Sequence, residues 1–138
     1  ELARAIVADG EGVTKVFEVQ VTGAASESDA RLAARTVTTS NLVKTAIHGA
    51  DPNWGRILAA AGRSGAKVDP ARASIRIGGV AVFERGTPRP FDAAAVRTVF
   101  ERPDIAIALD LGLGDATARA WGTDLSAEYV RINADYTT

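Results

Sequence analysis

Phe17, Val19 and Val21 alternate with Glu18, Gln20 and Thr22, a two-residue period that puts apolar side chains on one face of a strand and polar ones on the other. Upstream, Leu2 to Ala8 reads as the tail of a helix running into the turn Asp9-Gly10-Glu11-Gly12. Beyond the strand, cap-type residues at Ser26 to Asp29 precede Ala30, Ala33, Ala34, Val37 and Val43, which keep helical spacing toward Gly49. The β-branched run Thr36-Val37-Thr38-Thr39 is stiff and predicts a bend or break in that helix. Gly49 is expected to end it in the left-handed conformation, Asp51 to cap a second helix, and Pro52 to occupy the first position of that helix, which should extend to about Gly62.

The second half continues with short elements. Ile75 and Ile77, then Gly78-Gly79, then Val80 and Val82 predict a hairpin, since two glycines readily take the positive φ of a tight turn. Asp92 can cap a helix from Ala93 to Phe100, with Pro103 just past its end. Ile105, Ile107, Leu109 and Leu111 form the cleanest strand pattern, closed by Gly112 and Gly114, with a partner strand through Ala118 to Gly122. Leu125, Tyr129, Ile132 and Tyr136 recur at steps of four, three and four, the spacing of a short amphipathic helix. Strands and helices intermix without regular βαβ alternation or internal repeat, so the expected fold class is α/β, a layered mixed or antiparallel sheet with packed helices.

Length and charge narrow the classes. The chain of 138 residues suits a single domain over 1–138, able to bury roughly 68% of its unfolded surface. Sixteen Lys and Arg against seventeen Asp and Glu leave a net charge of -1, which gives no electrostatic case for nucleic acid. The absence of cysteine excludes disulfides and thiol catalysis and suits a reducing cytoplasm. One histidine excludes a His-rich metal site; neither a metal nor a cofactor is expected. No apolar run approaches membrane-spanning length and no leader opens the chain, so the expectation is a soluble protein. Residue 1 is Glu and no Met occurs, which predicts a processed or truncated product.

Candidate chemistry is sparse when read from residue types alone. In Asp9-Gly10-Glu11-Gly12 the glycines permit a sharp turn with the Glu11 carboxylate at its crest, fit to meet an ammonium; an ordinary exposed turn explains the same residues and is favoured on these grounds alone. Asp51, Asn53 and Arg56 gather near a helix start, where an anion is also stabilised, yet capping and tethering of two helices, with Trp54 filling a core gap and Gly55 allowing close packing, accounts for them without a ligand. His48 precedes a helix-ending glycine and is expected to be exposed or C-capping, with no chemistry assigned. Gly112-x-Gly114 lacks the third glycine of a dinucleotide loop and any Gly-Lys-Ser/Thr ending. No nucleophile elbow or Ser–His–Asp arrangement is discernible.

Three segments in order, Asp9-Gly10-Glu11-Gly12-x-Thr14-Lys15, the block from Lys44 to Ile57, and Tyr129-Val130-x-Ile132-Asn133-Ala134-Asp135-Tyr136, resemble the ornithine acetyltransferases, or glutamate N-acetyltransferases, of arginine biosynthesis. The resemblance covers nearly the whole chain and implies the C-terminal part of that family's β subunit, a domain of an N-terminal-nucleophile-like acyltransferase. It further implies a multifunctional cytoplasmic enzyme, assembled as a heterotetramer after autocatalytic cleavage before a threonine. That new N-terminal Thr carries acetyl from N-acetylornithine to glutamate, and some members also accept acetyl-CoA. No Ala-Thr-Met type junction occurs here, so no catalytic residue is expected in this chain and the chain alone should be inactive. Its partners would be the α subunit, the remainder of the β subunit and the small-molecule substrates. The resemblance assigns Glu11, Asn133 and Thr138 to binding of the amino-acid substrate. Two alternatives stay open at this level: an N-terminal-nucleophile hydrolase or aminopeptidase of similar architecture, and a non-catalytic fragment.

Overall fold

The computed structural model describes residues 15–124. β1 (Val16–Ala24) follows the predicted alternation, with Phe17, Val19 and Val21 fully buried and Gln20 and Thr22 exposed. α1 (Glu27–Thr39) starts at the Ser26 cap, whose side chain accepts the Asp29 N–H. It stops where the β-branched run predicts: Thr38 Oγ1 and Thr39 Oγ1 turn back on the carbonyls of Ala34 and Arg35 at 3.0 and 2.8 Å, a competition that weakens the last turn. Ser40 then closes α1 through its N–H to Val37 O and opens α2 (Asn41–His48) through its hydroxyl, which accepts the Val43 N–H.

The turn between α2 and α3 (Trp54–Gly62) connects two helices as expected, but by different residues. Gly49 ends α2 at φ -82, and the left-handed conformation falls on Ala50, at φ 54. Asn53, not Asp51, caps α3 by accepting the Arg56 N–H at 3.2 Å; Pro52 therefore precedes the helix instead of opening it. The helix start slips because Asn53 Nδ2 also reaches Asp51 Oδ2 at 3.3 Å, which commits the Asp51 carboxylate to the turn.

β2 (Ser74–Ile77) and β3 (Val80–Glu84) form the predicted hairpin, with Gly78 and Gly79 both at positive φ, 56 and 85. β4 (Thr87–Pro88) extends it, α4 (Ala93–Phe100) is capped by Asp92, and β5 (Asp104–Asp110) and β6 (Ala116–Thr123) complete the fold. The six strands run in the order β4-β3-β2-β5-β1-β6. β1 lies parallel to β5 and antiparallel to β6; the remaining neighbours are antiparallel. β6 takes in the expected Ala118 to Gly122 but starts earlier, at Ala116, and ends later, at Thr123, and it pairs with β1 and not with β5, because β1 is inserted between them.

The fold is thus an α/β layered structure on a mixed sheet. Ile75, Ile77, Val82, Ile105, Ile107 and Leu109 of the strands share one core with Ala30, Ala33, Ala34 and Val37 of α1, Ile57 of α3 and Val96 and Phe100 of α4. The inward face of α1 is mostly alanine, which lets its axis approach β1 and β6 closely. Trp54 packs at the core edge, stacked on Phe83 with ring centroids 4.7 Å apart. No helix among the described residues is long and apolar enough to cross a membrane.

Candidate functional site

The start of β1 and the end of β6 lie side by side, and polar groups converge there. Register Val16↔Thr123 continues one step outward: Lys15 N–H donates to Asp124 Oδ1 at 3.0 Å and Asp124 N–H to Lys15 O at 3.2 Å. Gly122 makes this possible, since its Cα sits so close to Thr38 O that a Cβ would meet that oxygen at 2.6 Å. The end of β6 is pressed against α1, and Asp124 passes beneath the C-terminal end of α2 with none of its side chain exposed.

A buried carboxylate is stable as an anion only when paired and hydrogen-bonded. Its other oxygen, Oδ2, lies 2.7 Å from Nδ1 of His48, whose side chain is 42% exposed. The Lys15 ammonium donates to Ile47 O at 2.9 Å and His48 O at 3.2 Å, a cation at the negative end of α2. Lys44, one helical turn before His48 and on the same stripe of α2, also feels Asp124. Burial of the half-buried Lys44 ammonium lowers its pKa below 10.5, and the attraction of Asp124 only partly offsets this. The Lys15 backbone N–H and the His48 ring therefore engage one carboxylate directly, and Lys44 feels it through space, at the place where the chain enters and leaves the described fold.

This cluster is built from long-range contacts that no local pattern announces. Nothing in Gly122-Thr123-Asp124 marks the aspartate, and His48 and Asp124 are 76 residues apart. His48 is exposed, as its position suggests, but it caps nothing: its side chain pairs with Asp124, and Lys15 satisfies the carbonyls at the helix end. Lys15 closes the first of the three segments noted above, and Lys44 opens the second. Glu11, Asn133 and Thr138, together with the C-terminal helical pattern and the Asp9 to Gly12 turn, lie outside the described residues.

The tethering role of the Asp51–Arg56 group is observed. Arg56 donates to Leu42 O at 3.0 Å and Thr45 Oγ1 at 3.3 Å, binding α3 to α2. Gly55 serves the cap more than helix packing, since a Cβ there would meet Asn53 Oδ1 at 3.3 Å. Gly112-x-Gly114 is structural as well, with the N–H groups of Leu113 and Gly114 donating to Gly23 O. A depression of about 360 Å³ on the sheet face away from the helices, lined by Ser74, Arg76, Glu84, Arg85, Ala108 and Asp110, mixes acids with arginines and lies apart from the Asp124 cluster. Among the described residues no group of three or more His, Asp or Glu is placed to hold a metal ion.

Comparison with known proteins gives this architecture a family. The family model described as "ArgJ family" matches residues 1–138. The chain is 55% identical over 138 residues to the arginine biosynthesis bifunctional protein ArgJ of Deinococcus radiodurans and 53% identical over 137 residues to that of Parasynechococcus marenigrum. These matches take in 100% and 99% of this chain but 35% and 34% of the relatives, so the chain spans about a third of their length. A crystal structure of the arginine biosynthesis bifunctional protein argJ from Bacillus halodurans superposes with a TM-score of 0.93 at 44% identity, covering 98% of this chain and 64% of the other. With its whole length matched by the family model and its fold matched by a solved member, the chain belongs to the ArgJ family.

Proposed function

We propose that residues 1–138 form the C-terminal, substrate-binding part of an acetyltransferase that moves acetyl from N-acetylornithine to glutamate, with the threonine nucleophile in a preceding segment. The observation that carries this reading is the family match over every residue at up to 55% identity. In the reaction the threonine hydroxyl attacks the acetamide carbonyl, the ester forms, and ornithine departs with its α-amine restored by the hydroxyl proton. Glutamate's amine then attacks the ester, giving N-acetylglutamate and returning the proton to threonine. A cleaved precursor in a cytoplasmic heterotetramer belongs to the same reading. The cleavage alone draws support from coverage: the crystallised relative's chain is roughly half as long as the curated relatives.

Within this chain, Glu11 pairs with the substrate ammonium, and Asn133 and Thr138 donate to its carboxylate. What supports a shared site is the meeting of Lys15 and Asp124, from which the two segments bearing these residues depart. Glu11 is four residues from Lys15, a span of at most ~14 Å of chain.

The complete protein, supplied with N-acetylornithine and glutamate, should form N-acetylglutamate. Acetate released to water without acetylglutamate would mark a hydrolase, and no product at all a non-catalytic member. In that protein Glu11→Gln should lower kcat/KM for the amino-acid substrates about tenfold or more while leaving the melting temperature unchanged. Deletion of Thr137 and Thr138 should weaken substrate binding with the core intact. Wild-type constants in both variants would remove these residues from the site.

A further inference from the structure

We propose that the hollow beside the start of β2 binds a small oxyanion, the carboxylate or phosphate group of a metabolite-sized ligand, held by Arg85 with Arg72 and Arg76 next to it. The hollow of about 360 Å³ lined by Arg76, Arg85 and Ser74 adjoins a second of about 350 Å³, which shares Ser74, Arg85 and Asp110 with it and adds Arg72. Volumes of this order suit a small ligand. Arg85 lines both hollows, and its backbone carries the inference. β3 and β4 are joined by the two-residue turn Arg85-Gly86, at φ 46 and 78. A turn with positive φ at both residues favours Asn, Asp or Gly at the first, where a longer side chain is strained. An arginine at that position serves the turn poorly, and its use lies in what its side chain offers the hollow.

The rim is fixed by close backbone approaches. Arg85 N–H donates to Ser74 Oγ at 3.0 Å and Gly86 N–H to Ala73 O at 3.2 Å. A Cβ on Gly86 would meet Ala71 Cα at 2.6 Å, and one on Gly112 would meet Arg72 O at 2.6 Å, so the turn and the exit of β5 both press on the loop that carries Arg72. On the strands, Ser74 lies opposite Asp110 and Arg76 opposite Ala108, whose methyl leaves room that a larger side chain would fill. Charge in the rim is unbalanced: three guanidiniums stand against two carboxylates, Glu84 and Asp110. Asp110 Oδ1 accepts the Gly112 N–H at 2.9 Å, and Arg76 donates to Gly79 O at 3.2 Å. Among the described residues none of these five side chains enters an ion pair. Guanidiniums gathered without a carboxylate partner leave their forks of donors open, and such a fork matches two oxygens of a carboxylate or phosphate.

The test uses the complete protein and titration calorimetry at constant ionic strength, with inorganic phosphate and malonate as separate probes. At least one should bind, and the tighter of the two shows which oxyanion the hollow prefers. For that probe Arg85→Gln should raise Kd about tenfold or more, the loss of a charge-assisted contact, with Arg72→Gln and Arg76→Gln raising it less. Glu84→Gln should act in the opposite direction and tighten binding, because a repelling charge is removed. Arg97→Gln, on α4, should leave Kd unchanged. Arg85→Gly should lose affinity as Arg85→Gln does yet melt higher than wild type, since glycine relieves the turn. Failure of both probes to bind, a Kd for Arg85→Gln within twofold of wild type, weaker binding by Glu84→Gln, or a lower melting temperature for Arg85→Gly would overturn the site. Equal weakening by Arg97→Gln would reduce the effect to general attraction of anions and overturn it as well. The readout is binding and not turnover, so a protein that passes these tests but transfers no acetyl from N-acetylornithine defeats the acetyltransferase reading alone.

Discussion

Asn53 holds the start of α3 through one side-chain bond to the Arg56 N–H, whereas Asp51 stands outside the helix and, among the described residues, its carboxylate meets the Asn53 side-chain amide and no backbone N–H of the helix. Asn53→Ala should therefore cost about 1 kcal/mol, within the 0.5–2 kcal/mol typical of a lost cap, and Asp51→Ala distinctly less; urea midpoints of the two variants decide the order. Lys44 makes a second residue-scale expectation, with a sign. Its folded pKa lies below the 10.5 of the free side chain, so between those two values the unfolded chain binds more protons and stability rises with pH. The Lys44 penalty is fully present below its folded pKa and vanishes above its unfolded one. Relative to Lys44→Met, wild type should gain stability across that alkaline window, measured as a narrowing difference in denaturation midpoint between the two proteins. A difference that widens or stays constant with pH would contradict the buried-ammonium account.

At the scale of elements, the β2–β3 turn gives the sharpest contrast. A Cβ on Gly78 would lie 2.6 Å from Val99 Cγ1 of α4, at a φ of 56, while Gly79 at φ 85 has nothing within 4 Å. Gly78→Ala should lose roughly 2 kcal/mol or more from backbone strain and overlap together, and Gly79→Ala about 1 kcal/mol from backbone strain alone; equal midpoints would show that α4 yields freely. The elements themselves were largely legible because their signals are local. Alternation at Phe17, Val19 and Val21 and at Ile105, Ile107 and Leu109 locates two strands, and Ser26 and Asp92 announce the helices they cap. The pairing of β6 was not legible, since its apolar positions state which face is buried and not which neighbour it finds. The Asp51/Asn53 ambiguity has a similar cause: both are good cap residues, and only the turn geometry chooses between them. For the candidate site, His48 carried no readable partner because Asp124 approaches it only in the assembled fold.

For the molecule as a whole, the described domain supplies a scaffold and a charge cluster, and no nucleophile is assigned to it. Purified residues 1–138 should therefore fold around the sheet yet show no acetyl transfer from N-acetylornithine to glutamate; turnover by this chain alone would place the reactive threonine within it. The position of β1 has one more consequence, for synthesis. β1 is the first strand of the described fold to leave the ribosome, but both its neighbours come last: its partners run from Asp104 to Asp110 on one side and from Ala116 to Thr123 on the other. A nine-residue strand with one apolar face and two open edges is a template for pairing with other chains. Throughout translation of the hairpin and four helices, Val16–Ala24 lacks both of its native neighbours, and its native pairing on the β6 side is complete only once residue 123 has emerged.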